Sequence, residues 1–493
     1  MDILGHLAGG FATVLTPQNL FYCFVGVAFG TFVGAMPGLG AMLGISLLLP
    51  LTYYLPPEAA IIMVAGIYYG GEYGGSIAAI LINVPGTPSS AVATLDGHAM
   101  TRNGRPAVAL FVSAMASFAG GSFGIVLLMA FSPLIAEVAL SFRSVEYFSV
   151  MVLGLVGAAS VSGGSLLNAL LAAILGIMFG TVGADVSTGV QRFTFGFPEL
   201  IGGVSLVVLA MGIFGFAETV AAGDGTGPAQ SSKRIRLRDM LPSRAEARQS
   251  FWPAGRGSVL GSVLGALPGT GPTIASFMAY ALEKRVGRNP QTFGTGRVEG
   301  LVAPEAANNA AAQTAFIPTL TLGIPGTATM ALILGALIIQ GIQPGPRMLA
   351  ENSGLFWALV ASFWVGNLFL VVLNVPLVSL WVRLVQIPPR FLYPSIVCLI
   401  CLGVYSIDLN PFGVFAVAVL GLLGVAMRSF GIGAAPFLMG FILGPAMEEN
   451  LRRSMLLARG DATVFLTSPI SAVCLGLAAL AIVVPVALAL RRR

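Results

Sequence analysis

Charged side chains are scarce: Asp, Glu, Lys and Arg make up 9% of the 493 residues, where a soluble domain carries roughly a quarter. So few charges cannot clothe a water-facing surface, which excludes a soluble globular protein. Hydrophobic residues reach 56% and the mean hydropathy is +0.90, so the chain belongs in a bilayer. Histidine is nearly missing. His6 and His98 are the only two, and neither lies in a polar cluster, which leaves no basis for a histidine metal site or a histidine-assisted nucleophile. The four cysteines, Cys23, Cys398, Cys401 and Cys474, all fall in apolar runs, so no disulfide framework is expected. Cys398 and Cys401 have CxxC spacing but no second pair, and read as small packing residues. The start, MDILGHLAGGFATVL, lacks the basic region and cleavage site of a signal peptide. The mature chain is expected to be the whole chain.

What is present is a series of apolar runs, each about 20 residues long, enough to cross a hydrocarbon core. They predict an all-α polytopic membrane protein of about 11 to 14 segments rather than a β-barrel. The formal net charge of +5 needs no anionic partner, because the basic residues cluster between helices as the positive-inside bias requires. No nucleic-acid partner is expected. One hydrophilic interruption, GDGTGPAQSSKRIRLRDMLPSRAEARQSFWPAGR at 223–256, is the candidate cytoplasmic loop. It divides the chain into a first membrane repeat (1–222), the basic loop (223–256), and a second repeat with the C-terminal helices (257–493).

The two halves share motifs. GTFVGAMPGLG runs from Gly30 to Gly40 and GSVLGALPGTG from Gly261 to Gly271; further on, ILINVPGTPSS starts at Ile80 and LTLGIPGTATM at Leu320. Two motifs in the same order, about 230 to 240 residues apart, indicate an internal duplication. Each contains Pro-Gly. Proline removes a donor and frees a carbonyl, and such backbone is tolerated at membrane depth only where it is buried or lines a wet cavity. Pro37, Gly38 and Gly40, with Pro268, Gly269 and Gly271, are therefore read as broken-helix positions. Paired Gly/Pro breaks in duplicated halves point to a secondary transporter and its binding site.

Polar residues precede the second motif in both halves: Glu72 and Ser76 in IYYGGEYGGS, and Glu305, Asn308 and Asn309 in APEAANNAA. Buried ionisable and amide groups are costly unless they face a cavity or one another, so Glu72 and Glu305 are candidate coupling-ion residues. Glu299, beside a basic loop, is set aside. Half-helices meeting at a PGT turn would aim free N–H groups at an anion, while unwound carbonyls could hold a cation.

These residues carry a resemblance. PGLG at 37–40, YYGGEYGGSIAAILINVPGTPSSAVATLDGH at 68–98, EGLVAPEAANNAA at 299–311, IPTLTLGIPGTATMALILGAL and GIQPGP at 341–346 resemble the large membrane subunit of the tripartite tricarboxylate transporters, the TctA family. The resemblance extends from about residue 20 to residue 460 and implies a bacterial inner-membrane permease importing tri- or dicarboxylates on an ion gradient, sodium or proton. It also implies two partners, a small four-helix membrane subunit and a periplasmic solute-binding protein, and no other cofactor. Carried onto this chain, it marks Asn83, Pro85, Gly86, Thr87 and Ser89 as one substrate-facing group and Asn308, Asn309, Thr321, Pro325, Gly326 and Thr327 as the other. Asp96 and His98 match the family as well, but Arg102 and Arg105 follow them and favour a structural role.

Three alternatives stay open: a stand-alone permease, a channel, and a membrane enzyme, for which Asp185 and Asp408 are the aspartates least easily dismissed. Topology is also open. If the basic stretches ending at Arg256 and starting at Glu283 share a side, PGTG is the tip of a re-entrant hairpin; if PGTG spans, one of them breaks the charge bias. The repeats are expected to be inverted, because exchanging the roles of two oppositely oriented halves gives inward and outward states from one architecture.

Overall fold

The computed structural model describes residues 3–36, 39–161, 165–185, 188–222, 239–267, 269–384 and 389–491. The protein is all-α. Its first half contains α1 (Ile3–Val14), α2 (Pro17–Ala35), α3 (Gly40–Thr52), α4 (Pro57–Ile82), α5 (Ala93–Arg102), α6 (Pro106–Ala139), α7 (Ser144–Val161), α8 (Leu166–Gly180), α9 (Leu206–Ala210) and α10 (Ala217–Ala222). The second half begins with α11 (Arg244–Gly265), α12 (Gly271–Val286), α13 (Val298–Thr314), α14 (Phe316–Thr321), α15 (Ala328–Ile339), α16 (Pro346–Glu351) and α17 (Ser353–Asn374). Further helices continue to Arg491. Among the described residues, the only strands are the two-residue pair Gly183–Ala184 and Gln191–Arg192. Among the described residues, four helices, α2, α6, α17 and Pro411–Ser429, are long and apolar enough to cross a membrane. Other apolar helices are shorter.

Helices α4 and α13 form the centre. Residues 59–81 of α4 are buried without interruption, as are 300–314 of α13. A helix buried on every side has no face left for water or lipid, so its polar side chains must find partners inside the protein.

Glycine sets how closely these helices are approached. Gly26, Gly30 and Gly34 of α2 lie against the carbonyls of Met63, Ile67 and Gly71 of α4, so closely that a Cβ at any of the three would collide with backbone. Small residues at four-residue spacing permit such close helix contact. The rising numbers show that α2 and α4 run parallel. Helix α3 returns antiparallel, with Ala41 at Gly71 and Gly44 at Ile67, so α2, ending at Ala35, and α3, starting at Gly40, are antiparallel partners. In the second half, Gly257, Gly261 and Gly265 of α11 lie on the carbonyls of Ala303, Ala307 and Ala311 of α13. Helix α12 then doubles back, and Arg256 of α11 makes a bidentate ion pair with Glu283 of α12 at 3.0 and 2.7 Å. Arg256 and Glu283 therefore lie at the same end of the hairpin that α11 and α12 form, away from the turn at 269–271.

The central helices run in opposite directions. Ser76 of α4 bonds to Glu305 of α13, while Tyr68, two turns earlier, stacks edge-on with Phe316, centroids 6.0 Å apart. One end of the molecule collects the end of α5, the starts of α6, α11 and α13, and the end of α12. Arg105 pairs there with Glu246, and Asn103 Nδ2 donates to the Thr295 carbonyl at 3.0 Å.

Candidate functional site

Helix α4 ends at Asn83, whose left-handed backbone (φ 60) stops the helix as few side chains other than asparagine can. The chain then folds back alongside α4. The Gly86 N–H donates to the Gly75 carbonyl at 3.2 Å, and a Cβ on Gly86 would collide with the Gly34 carbonyl of α2. Thr87 then starts a short 3₁₀ turn, Pro88–Val92, through a reciprocal cap with Ser90. This return brings Ser89 to the side of Glu72 in mid-helix, where its hydroxyl donates to the carboxylate. Thr87 Oγ1 and Ser89 Oγ lie 2.9 Å apart.

The second half has the same outline. Gly323 takes the left-handed conformation (φ 71) where Asn83 stands in the first half, and Thr327 caps α15 by accepting from the Met330 N–H at 3.2 Å. The Gly269 N–H donates to the Gly326 carbonyl at 2.9 Å, and a Cβ on Gly271 would meet Thr327. In the first half, the only neighbour of a Cβ placed on Gly40 is the Gly86 carbonyl. In each half, then, the first Pro-Gly motif abuts the second. Gly40, Gly269 and Gly271 have positive φ; Pro37, Gly38 and Pro268 lie outside the described residues.

Beside the first turn lie buried polar groups of α4 and α13. Glu72 is 7% exposed and Glu305 2%. An ionised carboxylate at such burial needs several hydrogen-bond donors, and these are hydroxyls. Glu305 accepts from Ser76 at 2.7 Å and from Ser117 of α6 at 3.1 Å; Glu72 accepts from Ser89. Asn308 lies within electrostatic reach of Glu72, yet neither of its amide atoms completes a hydrogen bond. Asn309 Nδ2 donates to the Glu305 carbonyl at 3.1 Å. Unsatisfied buried amides are rare, and Asn308 is one that lies near Glu72.

The site residues named from the sequence divide into groups. Glu72, Ser89, Glu305 and Asn308 are brought together. Gly86 and Thr87 are buried beside them, Pro85 is half-buried, and Asn83 is exposed. Pro325 and Gly326 are buried and Thr327 half-buried in the second turn. Thr321 is buried and donates to the Ile317 carbonyl of its own helix at 2.7 Å, so its hydroxyl proton is spent locally. Glu299 pairs with Arg297. Asp185 is bound by Arg192 and Arg452 at 3.1 and 2.9 Å.

Asp96 has a structural post. It is fully buried on α5 and accepts from the N–H groups of Gly294, Gly296 and Arg297 at 3.0, 2.8 and 2.7 Å and from the Tyr280 hydroxyl at 3.0 Å. One turn before Tyr280, Ser276 donates to the Ser89 carbonyl at 2.9 Å. Helix α12 of the second half is thus tied to the turn segment of the first.

Several residues of this network carry no strong signal in the sequence. Ser113 and Ser117 are small hydroxyl residues of an apolar helix. Tyr73 donates to Asn367 Oδ1 at 2.6 Å, and Asn367 could have been found as an amide inside the 22-residue apolar helix α17, since such residues are costly in a membrane.

The family model for the tripartite tricarboxylate transporter TctA family matches residues 20–439. The chain belongs to the TctA family. It is 48% identical over 472 residues, 96% of this chain and 94% of the relative, to an "Uncharacterized 52.8 kDa protein in TAR-I ttuC' 3'region" of Agrobacterium vitis. A second relative from Agrobacterium vitis, an "Uncharacterized protein in TAR-II ttuC' 3'region", is 55% identical over 217 residues, 44% of this chain and 90% of its own. No solved structure matches. As a TctA-family protein the chain is a multi-pass membrane protein of a transporter family, and its apolar helices agree with that.

Proposed function

We propose that this TctA-family chain is the large permease subunit of a binding-protein-dependent carrier that imports small tri- or dicarboxylates across the bacterial inner membrane on a sodium or proton gradient. The substrate lies between the segment Asn83 to Ser89 and the segment Asn308 to Thr327. Asn83, Asn308 and Asn309 offer amide donors to its carboxylates without the cost of burying a full cation. Glu72 and Glu305 answer to the coupling ion. The partners are the small four-helix membrane subunit and a periplasmic solute-binding protein.

One observation carries this reading: α4 and α13, each followed by a PGT turn and each flanked by an antiparallel helix pair, lie antiparallel at the centre of the protein. That arrangement is the one two inverted repeats, 1–222 and 257–493, would produce, and inverted repeats meeting at broken helices are a design of secondary carriers. The end bearing Arg102, Arg105, Arg244, Lys284, Arg285 and Arg297 is assigned to the cytoplasm by the positive-inside bias.

Reconstitution tests it. Purified chain in liposomes, with and without the small subunit and the binding protein, is expected to take up a labelled tri- or dicarboxylate saturably, with counterflow, under an imposed cation gradient, and to need both partners. Flux without saturation or counterflow indicates a channel, and full uptake without partners a stand-alone permease.

A further inference from the structure

A small recess lies between α4 and α6, with the end of α17 at its edge. Tyr73, Ser76 and Ile77 of α4, Leu110 and Ser113 of α6 and Asn374 of α17 line it, and it has room for about one water-sized particle. Its chemistry follows from where each proton goes. Ser76 donates its proton to Glu305 Oε1 at 2.7 Å, and Ser113 lies close enough to the same carboxylate to act on it electrostatically. Tyr73 donates to Asn367 Oδ1 at 2.6 Å; that atom is an acceptor because Asn367 Nδ2 donates to the Phe118 carbonyl and Ser122 Oγ at 3.1 and 3.0 Å. Asn374 Nδ2 donates to the Leu370 carbonyl at 2.8 Å. Its Oδ1 is buried and unpartnered.

A hydroxyl has one proton and two lone pairs. With their protons committed, Tyr73 and Ser76 turn lone pairs toward the recess; Ser113 adds a third hydroxyl oxygen and Asn374 a carbonyl oxygen. Four oxygens able to accept, beside a buried carboxylate, make a site for positive charge, and oxygen ligands suit hard cations. Neutral ligands backed by one carboxylate, Glu305, which Ser76 reaches, match a single charge.

We propose that this recess binds one small monovalent cation of the alkali class, held by Asn374 Oδ1 and the Tyr73, Ser76 and Ser113 oxygens, with Glu305 as the balancing charge. The site deepens the carrier reading by giving the coupling ion a place, and rests on that reading only for the use made of the ion.

The test is equilibrium binding of radioactive sodium to the purified full-length protein in detergent, with lithium and potassium as competitors and no carboxylate present. Wild type is expected to bind saturably, one ion per chain. Asn374→Leu and, independently, Ser113→Ala should weaken binding by about tenfold or more, whereas Ser132→Ala, on the same helix outside the recess, should not. Asn374→Asp keeps an oxygen ligand and adds charge, so it should bind more tightly, which separates a lost ligand from a misfolded helix. Absence of saturable binding in wild type would mean that the recess holds only water and would overturn the site, as would binding indifferent to both Asn374→Leu and Ser113→Ala. Sodium binding that follows the expected pattern in a protein unable to carry carboxylates supports the site and counts against the carrier reading, so the two can be judged apart.

Discussion

At Asn83 two demands meet in one residue. Its left-handed backbone ends α4, and its exposed amide stands where the proposed substrate would arrive. Replacing it by Ala confuses the two, because a Cβ without a local hydrogen-bonding group costs about 1 to 2 kcal/mol in this conformation. Asn83→Gly separates them: the turn survives and the amide goes. The expected result is a folded protein whose KM for the carboxylate rises about tenfold, a loss of roughly 1.4 kcal/mol; an unchanged KM would leave Asn83 with the backbone role alone. Gly75 has no such double duty. A Cβ there would stand 2.6 Å from Thr87 Oγ1, so Gly75→Ala should push the turn off α4 and destabilise the protein by about 1 to 3 kcal/mol, read as a lower melting temperature in detergent together with lost uptake. Gly86→Val should be harsher, since its side chain would meet the backbone of α2.

At the scale of elements, the contact most exposed to test is the one between α5 and the loop joining α12 to α13. Asp96→Ala removes the acceptor for three backbone N–H groups and the Tyr280 hydroxyl. Each buried donor left without a partner costs about 1 to 3 kcal/mol, so a loss of at least 3 kcal/mol is expected. Hydrogen exchange should localise it: amides of residues 291–297 lose protection while those of α4 keep theirs. Uniform loss, or none, would mean that Asp96 does not hold this loop. The sequence announced the Pro-Gly breaks and the glycine spacing, because both are local chemistry. It left the course of α11 and α12 undecided, because what decides it is the pairing of Arg256 with Glu283, two residues that only the hairpin brings together. Glycines 30 and 34 could be read as a break or as a packing stripe; in the structure they are the stripe, and the break follows at Gly40. Ser113 and Ser117 were not legible, since a hydroxyl in an apolar helix gains meaning only from the carboxylate or recess it faces, whereas Asn367 and Asn374 stood open to reading as amides in an apolar helix.

At the scale of the whole molecule, the proposal is that one solute sits between two oppositely oriented halves and is exposed to each side in turn. Single cysteines in place of Thr87 and Thr327, in an otherwise cysteine-free protein that retains uptake, put this to the most direct trial when labelled by a membrane-impermeant thiol reagent from either face of oriented vesicles. The account predicts that each position is reached from one face or the other according to the imposed ion gradient, and that saturating carboxylate protects both. Labelling of the two positions from one fixed face each, indifferent to gradient and to every carboxylate tried, would contradict it.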